Sequence, residues 1–169
     1  MTAAERRNQI LTCLQGQAKP VSATALAKQF SVSRQIIVGD VALLRAAGAD
    51  ISATPRGYVL SQDRPGLIRR IACLHSQQQM ARELQICVDN GCSVQDVIVE
   101  HPVYGQLSGE LQLSSRYDVE QFMNRVEKES AHSLSELTDG IHLHTLCCPS
   151  QDAYERVCKA LEEAGILLH

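Results

Sequence analysis

Residues 33–45, Ser-Arg-Gln-Ile-Ile-Val-Gly-Asp-Val-Ala-Leu-Leu-Arg, decide the fold of the first part of the chain. Apolar side chains recur along this stretch at i, i+4 and i+7, at Ile37, Val41 and Leu44. That spacing predicts a helix from about Arg34 to Ala47 with one buried face. Ser33 is suited to cap the first turn of this helix, and Gly48 ends it.

The segments on either side of this helix complete a winged helix-turn-helix pattern. Residues 3–16 and 23–30 each show the apolar spacing of a helix, and Ser31-Val32-Ser33 forms a short turn before the third helix. Downstream, the turn Thr54-Pro55-Arg56-Gly57 separates two strand-like segments, 51–53 and 58–60. A hairpin at this place is the wing of the motif.

The outer surface of this motif predicts contact with double-stranded DNA. The N-terminal end of the third helix enters the major groove in such folds, and arginine and glutamine make paired hydrogen bonds to purine edges. The whole chain has a net charge of −3, but residues 1–62 hold seven basic and three acidic side chains. The predicted DNA contacts are Ser33, Arg34, Gln35, Val38 and Arg56. A structural three-helix unit or a protein-docking module would show the same helical pattern.

Composition indicates a cytoplasmic protein with a sizeable core. The 169 residues are 44% apolar and 21% charged, which suits two small domains. Apolar stretches fall far short of the roughly 20 residues that span a bilayer, and the N-terminal residues show no apolar signal core. We therefore expect no membrane contact and seven reduced cysteines. Of these, Cys87, Cys92, Cys147 and Cys148 lack the spacing of a structural zinc site and are expected to pack as small apolar side chains.

A domain boundary is predicted at Ser61-Gln62-Asp63-Arg64-Pro65-Gly66, because a Pro-Gly pair follows an extended segment. It separates a winged helix-turn-helix domain, 1–62, from a second domain, 66–169. In the second domain we predict strands at 67–74, 94–99, 106–113, 141–147 and 166–168, and helices at 77–89, 117–129 and 151–163. On the middle helix the expected buried side chains are Val119, Phe122, Met123 and Val126. This order predicts an α+β fold overall, with an α+β sandwich as the second domain.

Histidines concentrate in the second domain, and their spacing suggests a metal site. His142 and His144 lie two residues apart on a predicted strand, so their imidazoles project from one face about 7 Å apart. His75 ends another strand and Glu83 lies about two helical turns further on, so both side chains can face inward. Three imidazoles and one carboxylate suit zinc, nickel, iron(II) or cobalt. Paired histidines on a strand are also common on polar faces that bind no metal.

The whole chain resembles a bacterial family of niacin-responsive transcriptional repressors, which joins an N-terminal winged helix to a C-terminal three-histidine (3H) domain. Four segments carry the resemblance: residues 51–58, His75 with Glu83, His101-Pro102-Val103-Tyr104-Gly105, and Gly140-Ile141-His142-Leu143-His144-Thr145. The resemblance covers both domains and their order.

The resemblance implies a cytosolic homodimer that binds an operator near genes of NAD synthesis or niacin uptake. Nicotinic acid is then the co-repressor. The family's ligands for one divalent transition metal ion per chain correspond to His75, Glu83, His142 and His144. Zinc or nickel is expected first, followed by iron or cobalt.

The resemblance also implies an effector pocket. His101 and Tyr104 lie in the family's other marked motif and are expected to line that pocket. We add Arg116 as a contact for the nicotinate carboxylate, because its guanidinium offers a planar pair of donors. A solvated position before a helix is the alternative for Arg116.

Three other functions remain open from the sequence. The metal ion can itself be the signal of a metal-responsive repressor, or it can be purely structural with the effector bound elsewhere. An open site with three histidines and one glutamate can also activate water in a small hydrolase. Neither a general base beside the metal ligands nor a catalytic motif such as His-Glu-x-x-His is evident, so we expect no enzyme activity.

Overall fold

The computed structural model describes residues 1–17, 19–60 and 66–169. The chain forms two compact units, Met1–Asp63 and Arg64–His169. The predicted boundary segment, residues 61–66, lies outside the described residues except for Gly66. Among the described residues, every helix is too short or too polar to cross a membrane.

The first unit is the predicted winged helix-turn-helix. Its elements are α1 (Ala3–Gln15), α2 (Ala23–Phe30), α3 (Arg34–Ala46), β1 (Ile51–Thr54) and β2 (Gly57–Leu60). Each helix begins at a hydroxyl cap, where Thr2, Ser22 or Ser33 accepts a hydrogen bond from the backbone N–H three residues on. A cap of this kind is worth about 1 kcal/mol. These local signals explain why the three helices begin where the sequence predicts.

The apolar faces of the three helices meet in one core. Its buried members include Ile10, Leu14, Leu26, Ile37, Val41, Leu44 and Ile51. Asp40, which the sequence analysis did not single out, is buried beside this core on α3. Its carboxylate lies 2.6 Å from Arg6 Nε and 3.4 Å from an Arg7 guanidinium nitrogen. This ion pair joins α1 to α3.

The wing is fixed to the start of α2 by the backbone. Val21 and Tyr58 exchange two N–H···O hydrogen bonds of 2.9 Å. Next to them, Gly57 has a φ of +135°, and a Cβ on it would lie 2.4 Å from the carbonyl oxygen of Val21. Only glycine fits this turn, because a side chain would clash with the backbone.

The second unit is one antiparallel sheet covered by helices. Its elements are β3 (Leu67–Leu74), α4 (Met80–Asp89), β4 (Ser93–His101), β5 (Gly105–Leu113), α5 (Arg116–Lys128), β6 (Ile141–Cys148) and α6 (Gln151–Glu163). Two 3₁₀ turns, Gln77–Gln79 and Leu134–Thr138, precede α4 and β6. The strand order is β3-β6-β4-β5, so β6 lies between strands that are much earlier in the sequence.

The core of this unit lies between one face of the sheet and the three helices. Leu84 and Cys87 of α4, Val119 of α5 and Val157 and Leu161 of α6 pack against alternate strand residues. The strand residues in the same cluster are Ile71, Cys73, Val94, Leu111, Leu113, Leu146 and Cys148. The α+β prediction is therefore confirmed.

Three local predictions for this unit were wrong. The helix predicted from residue 77 is a 3₁₀ turn up to Gln79 and α-helical from Met80, since the first turn of a helix often tightens to 3₁₀ geometry. The strand predicted at 166–168 is an isolated bridge between Cys73 and Leu167, because the turn at Gly165 brings only the residues around Leu167 alongside β3. On α5 only Val119 of the predicted stripe is buried, since Phe122 and Val126 line a cavity.

Candidate functional site

Sheet topology brings the predicted metal ligands together. β3 and β6 pair so that Cys73 lies opposite His142 and Ile71 opposite His144, and His75 follows directly after β3. Side chains two residues apart on a strand share a face, so both β6 histidines point toward the helices. Helix α4 crosses that face with Glu83 on its buried side. The prediction that these four residues lie close together is met.

Glu83 is the centre of the cluster. His75 Nε2 lies 2.5 Å from one carboxylate oxygen, Oε2. His142 Nε2 lies 2.8 Å and His144 Nε2 lies 3.2 Å from the other oxygen, Oε1. The four side chains are at most 3% exposed. The cluster is therefore a buried group of three imidazoles around one carboxylate.

Backbone carbonyls orient all three imidazoles. His75 Nδ1 lies 2.7 Å from the carbonyl oxygen of Ser76, and His142 Nδ1 lies 2.8 Å from the carbonyl oxygen of Gly140. His144 Nδ1 lies 2.6 Å from the carbonyl oxygen of Asp96. A carbonyl oxygen only accepts, so each Nδ1 carries the hydrogen. In a neutral imidazole of this tautomer, the Nε2 atom then presents a lone pair.

The lone pairs of three Nε2 atoms that face a carboxylate repel its oxygens. Both partners are hydrogen-bond acceptors, so a positive species must lie between them: either protons on Nε2 or a metal ion. The Nε2 atom of His144 is buried and has no aligned hydrogen-bond partner. This donor set, with each imidazole held by a second partner, fits a divalent transition metal.

Without a metal, electrostatics favour charged imidazoles in this cluster. Burial lowers the pKa of His75 and His144, but the hydrogen bonds and charge of Glu83 outweigh burial, so both pKa values are raised. Burial likewise opposes ionisation of Glu83, yet the three histidines hold its pKa well below the usual range. Protons therefore compete with a metal ion for the same Nε2 atoms.

Cys73 also belongs to the cluster, although the sequence analysis did not single it out. Its Sγ, an imidazole nitrogen of His142 and a carboxylate oxygen of Glu83 all lie within 4.8 Å of one another. Burial, with the nearby Glu83 carboxylate, raises the pKa of the thiol. The alternation of β3, which puts residue 73 on the same face as residue 75, was the signal that could have identified it.

A cavity of about 230 Å³ adjoins the cluster. Its walls are apolar, from α4, α5 and the sheet, and include Met80, Leu84, Val97, Leu111, Phe122 and Leu134. Glu83 and the three histidines also line it, together with Ser133 and Ser135 of the segment before β6. At about 30 Å³ per water molecule this volume holds roughly seven or eight waters, so a single small ring fits. The sequence analysis did not identify this segment, which has no apolar periodicity.

The three predicted effector residues lie elsewhere, since the lining of this cavity includes none of them. His101 is at the end of β4, where its Nδ1 accepts the N–H groups of Val103 and Tyr104. The side chain of Tyr104 is exposed in the β4–β5 turn. Arg116 makes two 2.7 Å hydrogen bonds to the carboxylate of Asp89 at the surface. Within one subunit, the structure does not bring these residues to the cluster.

The predicted DNA-contacting residues lie where the motif requires. Arg34 and Gln35 are exposed in the first turn of α3, and Val38 is half-buried one turn further on. Ser33 is exposed, but its hydroxyl accepts the N–H of Ile36 as the helix cap. Arg56 lies in the turn of the wing and is half-buried. Their contact with DNA stays a prediction.

Comparison with known proteins identifies relatives of both units. A model of the 3H domain matches residues 68–169, and a model of a helix-turn-helix (HTH) domain matches residues 6–59. The chain is 44% identical over 172 residues to the transcription repressor NadR of Bacillus subtilis, a match covering 99% of this chain and 96% of NadR. It is 42% identical over 164 residues to the probable transcription repressor NiaR of Thermotoga maritima, covering 97% and 94% of the two chains. Both matches therefore extend across both units.

Proposed function

We propose, from the premise that this chain belongs to the 3H-domain family, that it is a repressor controlled by nicotinic acid. It binds operator DNA as a homodimer through the first unit. The second unit binds nicotinic acid beside a divalent metal ion, and the bound acid favours the form that binds DNA. The controlled genes are those of NAD synthesis or niacin uptake.

The DNA-binding part of this function is supported by two independent observations. The HTH model matches the unit that carries the exposed Arg34 and Gln35 on its third helix. The two relatives that match over nearly the whole chain are named as a transcription repressor and a probable transcription repressor. Their names describe repressors and not enzymes, which confirms the prediction that this chain is not an enzyme.

The observation that carries the metal part is the direction of the three Nε2 atoms. Their lone pairs all face one carboxylate, which is also a hydrogen-bond acceptor. A cation between these acceptors would remove the repulsion among them. His75, Glu83, His142 and His144 would hold the ion. When bound, it would supply a positive charge at the edge of the cavity.

Nicotinic acid suits the cavity in shape and charge. The apolar walls suit an aromatic ring, and the volume of about 230 Å³ suits one such ring. Residues 63–169 hold nine basic and sixteen acidic side chains, so this part of the chain repels anions in general. A carboxylate would enter only where a local positive charge attracts it. The acid should therefore bind more tightly than its amide.

The experiment is calorimetric titration of nicotinic acid into the full chain, with nicotinamide as the control ligand. It is done with the metal-loaded protein and again after chelation. We expect saturable binding of the acid to the loaded protein, and loss of that binding on chelation. Absence of acid binding to the loaded protein would refute the effector assignment.

The same preparations test coupling to DNA. The DNA is selected from a random-sequence pool by the full chain, and its binding is followed by fluorescence anisotropy. Nicotinic acid should tighten binding of the wild type but not of the double variant His142→Ala/His144→Ala. His169→Ala serves as the matched control, because His169 is an exposed histidine of the same unit. If the metal alone changes DNA binding and the acid adds nothing, the chain is a metal-responsive repressor instead.

A further inference from the structure

Cys73 is a fifth potential donor at the cluster. Its side chain is fully buried, with 0% exposure, and it lies across the β3–β6 pair from His142. The thiol contacts the Glu83 carboxylate, and Sγ lies within 4.8 Å of both that carboxylate and a His142 nitrogen. A thiol in an ordinary apolar core would have carbon neighbours on all sides.

The strand register makes this contact a fixed part of the fold. Cys73 and His75 are two residues apart, so both side chains point to the core side of the sheet. On the neighbouring strand His142 and His144 point to the same side. Cys73 therefore lies in the same layer as the histidines and directly opposite one of them.

The distances are close to those between two ligands of one ion. Zinc lies about 2.3 Å from a thiolate sulfur and about 2.1 Å from an imidazole nitrogen, so two such ligands are at most about 4.4 Å apart. Cys73 Sγ, a His142 nitrogen and a Glu83 oxygen lie within 4.8 Å of one another, so a shift of at most about 0.4 Å brings them within that limit. A second observation also indicates an unfilled position, since the buried Nε2 of His144 has no aligned hydrogen-bond partner.

We propose that Cys73 Sγ is a metal ligand of this chain, in addition to the three histidines and Glu83. The inference rests on the proposed metal site and goes beyond it. When the metal–sulfur bond forms, the Sγ–H bond breaks and its proton passes to solvent, so the cysteine stays at the same oxidation state. A thiolate is a soft ligand and favours zinc or cobalt over the hard ions manganese and magnesium. The cysteine thus makes the site selective for thiophilic metals.

The test uses cobalt(II), which reports its ligands through its absorption spectrum. The full chain is freed of metal by chelation and titrated with cobalt(II) under reducing conditions. Ligand-field bands in the visible region show that cobalt is bound. A sulfur-to-cobalt charge-transfer band in the near ultraviolet shows that a thiolate is among the ligands.

Three variants locate the thiolate. Cys73→Ala and Cys73→Val should lose the charge-transfer band and keep the visible bands, and the valine variant also keeps the core filled. Cys87→Ala is the matched control, because Cys87 is equally buried and lies one helical turn from Glu83. It should keep both bands. The ratio of zinc to manganese affinity should fall by at least about tenfold in both Cys73 variants, as expected on loss of a metal-site group.

The outcomes separate the two proposals. If cobalt gives no visible bands with the wild type, the metal site itself is refuted, and the role of Cys73 with it. If the visible bands appear without a charge-transfer band, or if that band persists in both Cys73 variants, the metal site stands and Cys73 is not a ligand. Loss of the band in the Cys87 variant alone would also overturn the assignment.

Discussion

Replacing Glu83 with glutamine should reverse the pH dependence of stability in the metal-free second unit. In the wild type, the raised pKa values of His75 and His144 add stability that is fully present below the usual imidazole value of 6.5. This stability is lost as the pH rises through their folded-state values. The lowered pKa of Glu83 adds stability above 4.5 that is lost as the pH falls through its folded-state value. The wild type should therefore be more stable at pH 5 than at pH 8.

In the Glu83→Gln variant the pKa-raising effect of Glu83 on His75 and His144 is lost. Burial is then the largest effect that remains, opposed only by the backbone carbonyl of Ser76 and by Asp96. Burial lowers their pKa values, so the folded state must keep both neutral while the unfolded state binds protons below pH 6.5. At about 1.4 kcal/mol per pH unit, each neutral imidazole costs about 2 kcal/mol at pH 5. The two together cost about 4 kcal/mol at pH 5, and almost nothing at pH 8.

The assay is urea unfolding of the chelated full chain at both pH values, followed by histidine proton resonances. All six histidines lie in residues 66–169, so these signals report the second unit alone. Glu136→Gln is the matched control, because it removes the carboxylate from an exposed pair with His132. Such a pair is worth at most about 1 kcal/mol. An equal loss of stability at pH 5 and pH 8 in the Glu83 variant would show that the reasoning is wrong.

Three further changes should each affect one part of the molecule. Arg34→Ala should weaken the binding free energy for selected DNA by about 1–3 kcal/mol, measured by anisotropy, and leave thermal unfolding unchanged. Gly140→Ala should weaken zinc binding by about 10–100-fold in a chelator competition, because its Cβ would lie 2.5 Å from a backbone oxygen of His75. Gly91→Ala, at a similar positive φ but with its nearest contact at 3.7 Å, should bind zinc normally. Asp40→Ala should destabilise the first unit by about 1–3 kcal/mol in urea, because it removes the carboxylate that pairs with the largely buried Arg6. It should not move the histidine resonances.

Segments with complete local signals were predicted well. Helix α6 begins and ends where the sequence indicates, since Ser150 caps it and its apolar stripe packs against the sheet. The cluster of three histidines and Glu83 could be predicted in part because His142 and His144 alternate on one strand. Their proximity to Glu83 depends on β6 pairing with β3, which spacing alone does not determine.

The features that sequence missed depend on packing between distant segments. Cys73 looks like any small apolar strand residue until β6 places a histidine opposite it. The cavity is a gap between α5 and the sheet, and a helical pattern cannot show that Phe122 borders empty space. Arg116 suits a carboxylate ligand by its chemistry, but Asp89, distant in sequence, already occupies its guanidinium.

The insertion of β6 between β3 and β4 also has a consequence for how the protein folds. Glu83 and His142 are 59 residues apart, so the cluster forms only when a long segment of chain has closed. Such non-local pairing is slow compared with formation of local helices. The three helices of the first unit depend on near neighbours in sequence and can form without that delay. During synthesis, the helix-turn-helix unit can therefore be folded before the second unit exists, and newly made chains pass through a stage in which only the first unit is folded.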